Sequence, residues 1–182
     1  GIALLAAAED SLGVRRVVTF DAVGATSGWL DSLHANALAH LDRRGATEEH
    51  ELLALLDPTA LHEPDAERHA DYSRTMYAAW FHDQEMRSFS PPRALSPTGA
   101  TVAARLRREG YDWRERYAAV RAPVLLIHGA EDAIPLAEAE RTAALIPSAR
   151  VVAIPEAGHM PFFENPAPSF DAALAFLDAT DA

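Results

Sequence analysis

The sequence contains no cysteine and no lysine. Without cysteine there are no disulfides, no thiolate nucleophile and no Cys-ligated zinc or iron–sulfur centre. All sixteen basic residues are arginine, which removes lysine Schiff-base chemistry and any phosphate loop built around a lysine. Long apolar runs are missing too. The longest fully apolar stretch, residues 2–8, falls far short of the roughly 20 residues that span a bilayer, and no basic segment precedes it as in a secretory signal. A soluble, cytoplasmic protein is expected. No run of like charges occurs, and a formal charge of −11 argues against nucleic acid or an anionic membrane as partner.

What remains is 182 residues, 49% of them hydrophobic, enough for one domain with a substantial core. The chain opens on Gly1 rather than methionine, and a natural N-terminus upstream is expected. Residues 1–9 are rich in Ala and Leu and apolar nearly all round, which predicts a buried helix that something must cover. Residues 14–20 are short and β-branched and read as a strand ending at Asp21. From there to about residue 111, strand signals give way to helical ones. Residues 29–44 close at Gly45, residues 48–56 follow Thr47 as N-cap, residues 64–86 carry one apolar helical face, and residues 98–109 close at Gly110. A proline-rich break, SFSPPRALSP, precedes the last of these.

Asp112 and Glu115 have the spacing of a capping box for a short helix before Pro123. Strand signals return at residues 124–128 and 151–154, flanking a helix over 135–146, and a last helix runs from Pro166, capped by Asn165, to about residue 179. Strand–helix alternation interrupted by roughly ninety helical residues implies an α/β fold: a parallel sheet of about three strands under an all-helical cap. The segments are 1–23 (core helix and strand), 24–111 (cap) and 112–182 (the rest of the core). Three strands are few for a free-standing sheet, and residues 14–20 would form an unpaired edge. The sequence therefore reads as the C-terminal part of a larger fold.

Two residues at strand ends carry chemistry. A carboxylate that accepts the Nδ1 proton of an imidazole fixes its tautomer and stabilises the imidazolium that forms when Nε2 takes a nucleophile's proton. In parallel α/β sheets ligands sit beyond the carboxyl ends of the strands. Asp132, three residues after Gly129, and His159, after Ala157 and Gly158, both lie just past such ends. Glu131 and Asp21 are rival acids, and His128 reads as structural. No G-x-S-x-G turn, which would present a nucleophilic serine, occurs anywhere in the chain.

HGAED at a strand end, followed by a helix, a strand and EAGHMPFFENP, resembles the C-terminal end of an α/β-hydrolase, and the likeness extends over essentially the whole chain. GIALLAAAE resembles the helix after that family's nucleophile elbow, and VRRVVTFDAVG its sixth strand and the exit into the cap. The helical insertion with YDWRERYAAVRAPVLLIHG is most similar to the branch containing proline iminopeptidases and related serine peptidases and esterases. The resemblance implies Asp132 as the acid and His159 as the base. It puts the nucleophile two or three residues before Gly1, so this chain alone is expected to be inactive. The oxyanion loop would lie outside as well.

The implied substrate is a small molecule or short peptide, with no cofactor, and the missing N-terminal half could be a separate chain, though truncation is preferred. Trp29, Tyr77, Trp80 and Phe81 are candidate substrate-wall residues, against the competing reading of the 72–81 aromatic face as cap core. Acidic cap residues hold a free amine in iminopeptidases; Glu48, Glu49, Glu51, Asp83 and Glu85 are available, and no motif singles one out. His34 and His40 are too far apart for a helical metal pair, and no metal site is expected. An epoxide hydrolase or dehalogenase with an aspartate nucleophile, and a non-catalytic binding protein on the same fold, are the alternatives.

Overall fold

The computed structural model describes residues 1–10, 13–83, 85–86 and 96–179. Three strands, β1 (Val17–Phe20), β2 (Val124–Gly129) and β3 (Ala149–Ile154), form a parallel sheet in that order. Val17 lies opposite Val124 and Val124 opposite Ala149, so the strands start level and their carboxyl ends emerge together. β2 is buried along its whole length. Its alternate residues serve two cores: Val124 and Leu126 face one with Leu4, Ala7, Val17 and Tyr117, while Leu125 and Ile127 face another with Ile154, Ala173 and Phe176. That is why β2 reads as an unbroken apolar run rather than an alternating one.

The first core lies beneath α1 (Ile2–Glu9) and α6 (Arg114–Ala118), and the second beneath α9 (Pro166–Asp178). Between β1 and β2 the chain forms α2 (Trp29–Arg43), α3 (Thr47–Ala54), a 3₁₀ turn at Pro58–His62, α4 (Ala66–Met76), a second 3₁₀ turn at Tyr77–Trp80 and α5 (Pro97–Glu109). These helices close a third core of Leu33, Ala37, Leu41, Leu53, Leu61, Tyr72 and Met76, and it reaches Ala133 and Ile134 beside the sheet. After β2 come α7 (Leu136–Ala143) and, beyond β3, α8 (Pro161–Glu164) and α9.

The departures from expectation have local causes. Strand β1 begins at Val17 rather than residue 14 because its partner starts only after Pro123, whose carbonyl accepts the Val17 N–H. Helix α1 is not enclosed: Leu4 and Ala7 are buried, but Ile2 is 86% exposed. The expected helix over 64–86 ends at Met76, passes through a 3₁₀ turn and is extended by Phe81. There the carbonyls of Trp80 and Phe81 accept from the His159 N–H and the Arg44 guanidinium instead of continuing a helical ladder.

Thr47 is the first residue of α3 rather than its cap, and Ala46 precedes it without a side-chain bond. Asp112 forms no capping box; it accepts from the Arg114 backbone and guanidinium. Asn165 donates from Nδ2 to the Pro155 carbonyl instead of capping α9. Gly45 and Gly110 do adopt positive φ, 65° and 68°. The proline-rich break over 88–97 lies largely outside the described residues.

Candidate active site

Three strand exits converge at the carboxyl end of the sheet. Asp21 leaves β1, the 129–134 loop leaves β2, and the 155–160 loop leaves β3. Asp132 turns back toward the sheet because its Oδ1 accepts the Ile134 N–H at 3.0 Å. This local turn leaves Oδ2 for His159 Nδ1, 2.8 Å away. The Asp132 side chain is fully buried, whereas that of His159 is 26% exposed. A buried carboxylate facing Nδ1 favours the Nδ1–H tautomer and leaves Nε2 as a lone-pair acceptor. Among the described residues Nε2 makes no hydrogen bond.

The β2 and β3 exits touch. A side-chain carbon at Gly129 would fall 1.9 Å from the Gly158 carbonyl oxygen, and one at Gly158 would fall 2.3 Å from the Trp80 carbonyl. Only glycine permits this stacking of backbone on backbone. It places His159 against the cap, where its N–H donates to Trp80 O at 2.6 Å and the Trp80 ring covers the imidazole with centroids 4.3 Å apart.

A residue that sequence reasoning passed over closes this side. Glu164 Oε2 accepts the Gly158 N–H at 2.6 Å, while Oε1 accepts the N–H groups of His82 at 2.6 Å and Asp83 at 3.0 Å. One carboxylate thus ties the cap backbone to the loop carrying His159. Its only signal in the sequence is an acid before Asn165-Pro166, indistinguishable from a surface residue.

The candidate wall residues separate. Trp80 reaches His159. Phe81 is 1% exposed and packs edge-on against Tyr77, with centroids 4.9 Å apart, inside the cap. Trp29 donates from Nε1 to the Tyr111 hydroxyl at 2.6 Å. The rival acids separate as well: Glu131 is exposed, and Asp21 lies beneath Asp132 rather than against His159. His128 is fully buried and its Nε2 donates to Ile134 O at 2.8 Å, which agrees with a structural role. His34 contacts the Tyr72 hydroxyl and His69 the Glu63 carbonyl, so neither pairs with another histidine through these nitrogens. A cavity of about 250 Å³ elsewhere in the cap, lined by Ser27, His34, Thr59, His62 and Arg107 among others, shares no lining residue with the pair.

A model of the alpha/beta hydrolase family matches residues 1–172. The chain belongs to that family. Two curated relatives are similar over shorter stretches. The pimeloyl-acyl-carrier-protein methyl ester esterase of Aromatoleum aromaticum is 50% identical over 56 residues, 30% of this chain and 22% of the esterase. The enzyme of the same name from Nitrosomonas europaea is 41% identical over 76 residues, 41% of this chain and 30% of that one. Among solved structures, the α/β hydrolase MGS-M2 from a deep-sea metagenome library superposes with a TM-score of 0.63 at 19% identity, covering all of this chain and 62% of its own. The chain therefore spans under two thirds of that hydrolase, and the curated alignments under a third of each esterase. No helix among the described residues is long and apolar enough to cross a membrane.

Proposed function

We propose that this chain carries the acid and the base of a serine-type carboxylic ester hydrolase. Asp132 holds His159 by Nδ1, and Nε2 takes the proton of a nucleophile and later delivers it to the leaving group. The observation that carries the reading is the 2.8 Å contact between a fully buried carboxylate and an imidazole whose other nitrogen is unengaged among the described residues. The names of the two curated relatives favour an ester over the amide or peptide substrate of an iminopeptidase.

The nucleophile belongs to sequence outside these 182 residues, since no G-x-S-x-G turn occurs within them, and the isolated chain is inactive. The outer edge of β1 is unpaired among the described residues, and Ile2 on α1 and Phe170, Leu174 and Leu177 on α9 expose apolar side chains of the kind that further core elements cover.

The test uses the protein that carries its nucleophile. A fluorophosphonate probe should label it covalently, and His159→Ala should abolish both labelling and hydrolysis of acyl nitrophenyl esters. Full hydrolysis after His159→Ala removes the assignment. Hydrolysis without fluorophosphonate labelling replaces serine with the aspartate nucleophile of epoxide hydrolases and dehalogenases.

A further inference from the structure

Beneath the Asp132–His159 pair lies a second acid that the proposed mechanism does not use. Asp21 is the residue after β1, and its backbone stands at φ 43°, a left-handed conformation that aspartate tolerates better than most side chains. That turn sends its carboxyl inward. Its side chain is 2% exposed, and Oδ1 accepts the Gly129 N–H at 2.9 Å. His128, fully buried on β2, brings Nδ1 to 3.3 Å from the same oxygen. Asp132 closes the group: Asp21, His128 and Asp132 each have a polar atom within 4.8 Å of the others. Among the described residues, Asp21 Oδ2 is buried and has no hydrogen-bond partner.

Two carboxylates this close in a dry interior cannot both keep their charge, because neither is solvated and each repels the other. Asp132 keeps the charge, since it receives the Ile134 N–H and faces the His159 Nδ1–H. We propose that Asp21 is a positioning residue held in its protonated form, donating a hydrogen bond to Asp132 so that Asp132 remains the single anion facing His159. The proposal rests on the hydrolase reading for its consequence in catalysis, but the protonation itself does not.

On balance the surroundings favour the protonated form. Burial first, and then the Asp132 charge, push the Asp21 carboxyl up to about 9; Glu164 adds to the push, and the Gly129 N–H opposes it. A metal ion fits the cluster less well than a proton. His128 Nε2 is engaged with Ile134 O and Asp132 Oδ2 with His159, and the triad geometry would be lost if a cation took the second of these.

The experiment compares Asp21→Ala with Asp21→Asn in the full-length protein. The asparagine amide keeps an oxygen for the Gly129 N–H and supplies a permanent donor toward Asp132. Asp21→Ala should lower kcat about ten- to hundredfold with little change in KM, the scale of one lost buried hydrogen bond, and Asp21→Asn should rescue most of that loss. Wild-type activity should fall as the pH rises through about 9, where Asp21 ionises beside Asp132, and this fall should be absent in Asp21→Asn.

Thermal unfolding gives a readout that needs no activity. Asp21 binds a proton in the folded state and releases it on unfolding at any pH between its ordinary value near 3.8 and about 9, so its contribution to stability declines with rising pH across that window. Asparagine lacks this decline, and the melting temperature of Asp21→Asn minus that of wild type should climb from pH 5 to pH 9. A flat difference overturns the proposal. So does a folded Asp21→Asn as impaired as Asp21→Ala, or one that keeps the alkaline fall. A climbing difference in a protein without hydrolase activity would retire the hydrolase reading and leave the protonated acid standing.

Discussion

His159 is held from two sides, and the two holds differ in kind. From the sheet it is gripped by side chains: Asp132 on Nδ1, with Asp21 and His128 packed behind in a fully buried polar cluster. From the cap it is gripped through backbone: its own N–H bonds to Trp80 O, Gly158 bonds to Glu164, and Glu164 bonds to His82 and Asp83. The sheet side sets the electronics of the imidazole. The cap side sets where the imidazole stands, so loss of the first should remove rate without unfolding anything, while loss of the second should loosen structure and rate together.

The most damaging way to probe that division is Asp132→Asn. It keeps the shape but offers an amide where an anion stood, and kcat should fall about 10⁴-fold, the scale seen when a triad acid no longer fixes the tautomer. The melting temperature should change little by comparison, and a large drop in stability with modest loss of kcat would reverse the roles of the two sides. Glu164→Ala comes next. Three N–H groups lose a charged acceptor, and unfolding stability should fall by about 2–4 kcal/mol, with faster amide exchange at His82, Asp83 and Gly158 and a roughly tenfold lower kcat. Unchanged exchange at Gly158 would separate the cap from the histidine loop. The smallest effect is the control, Glu109→Gln. Its ion pairs with Arg105 and Arg108 sit on the exposed surface of α5, and both kcat and melting temperature should stay within error, a shift of about 1 °C at most.

The same division decides what the sequence made legible. The contact between Asp132 and His159 could be anticipated because side-chain pairing leaves residue types at fixed offsets: an acid three residues past Gly129, and a histidine past Gly158. The parallel sheet was legible because β2 is buried on both faces and therefore carries no polar residue until His128. The cap side was not, because a carboxylate bonding to backbone amides sets no constraint on the residues supplying them. Nothing at His82 or Asp83 announces Glu164. For the same reason the aromatic run ending in Trp80 and Phe81 read as one continuous helix. Its apolar spacing is helical, but its carbonyls are drawn to His159 and Arg44, partners distant in sequence. Asp21 was weighed only as a rival to Asp132; that the two occupy one buried cluster depends on strand register, which the sequence does not display.

The Glu164 bridge also couples the motions of two segments far apart in sequence. Through that one carboxylate, residues 82–83 of the helical layer are tied to the backbone of the histidine loop. A displacement of residues 82–83 would therefore pull on Gly158, and with it on the residue next in the chain, His159.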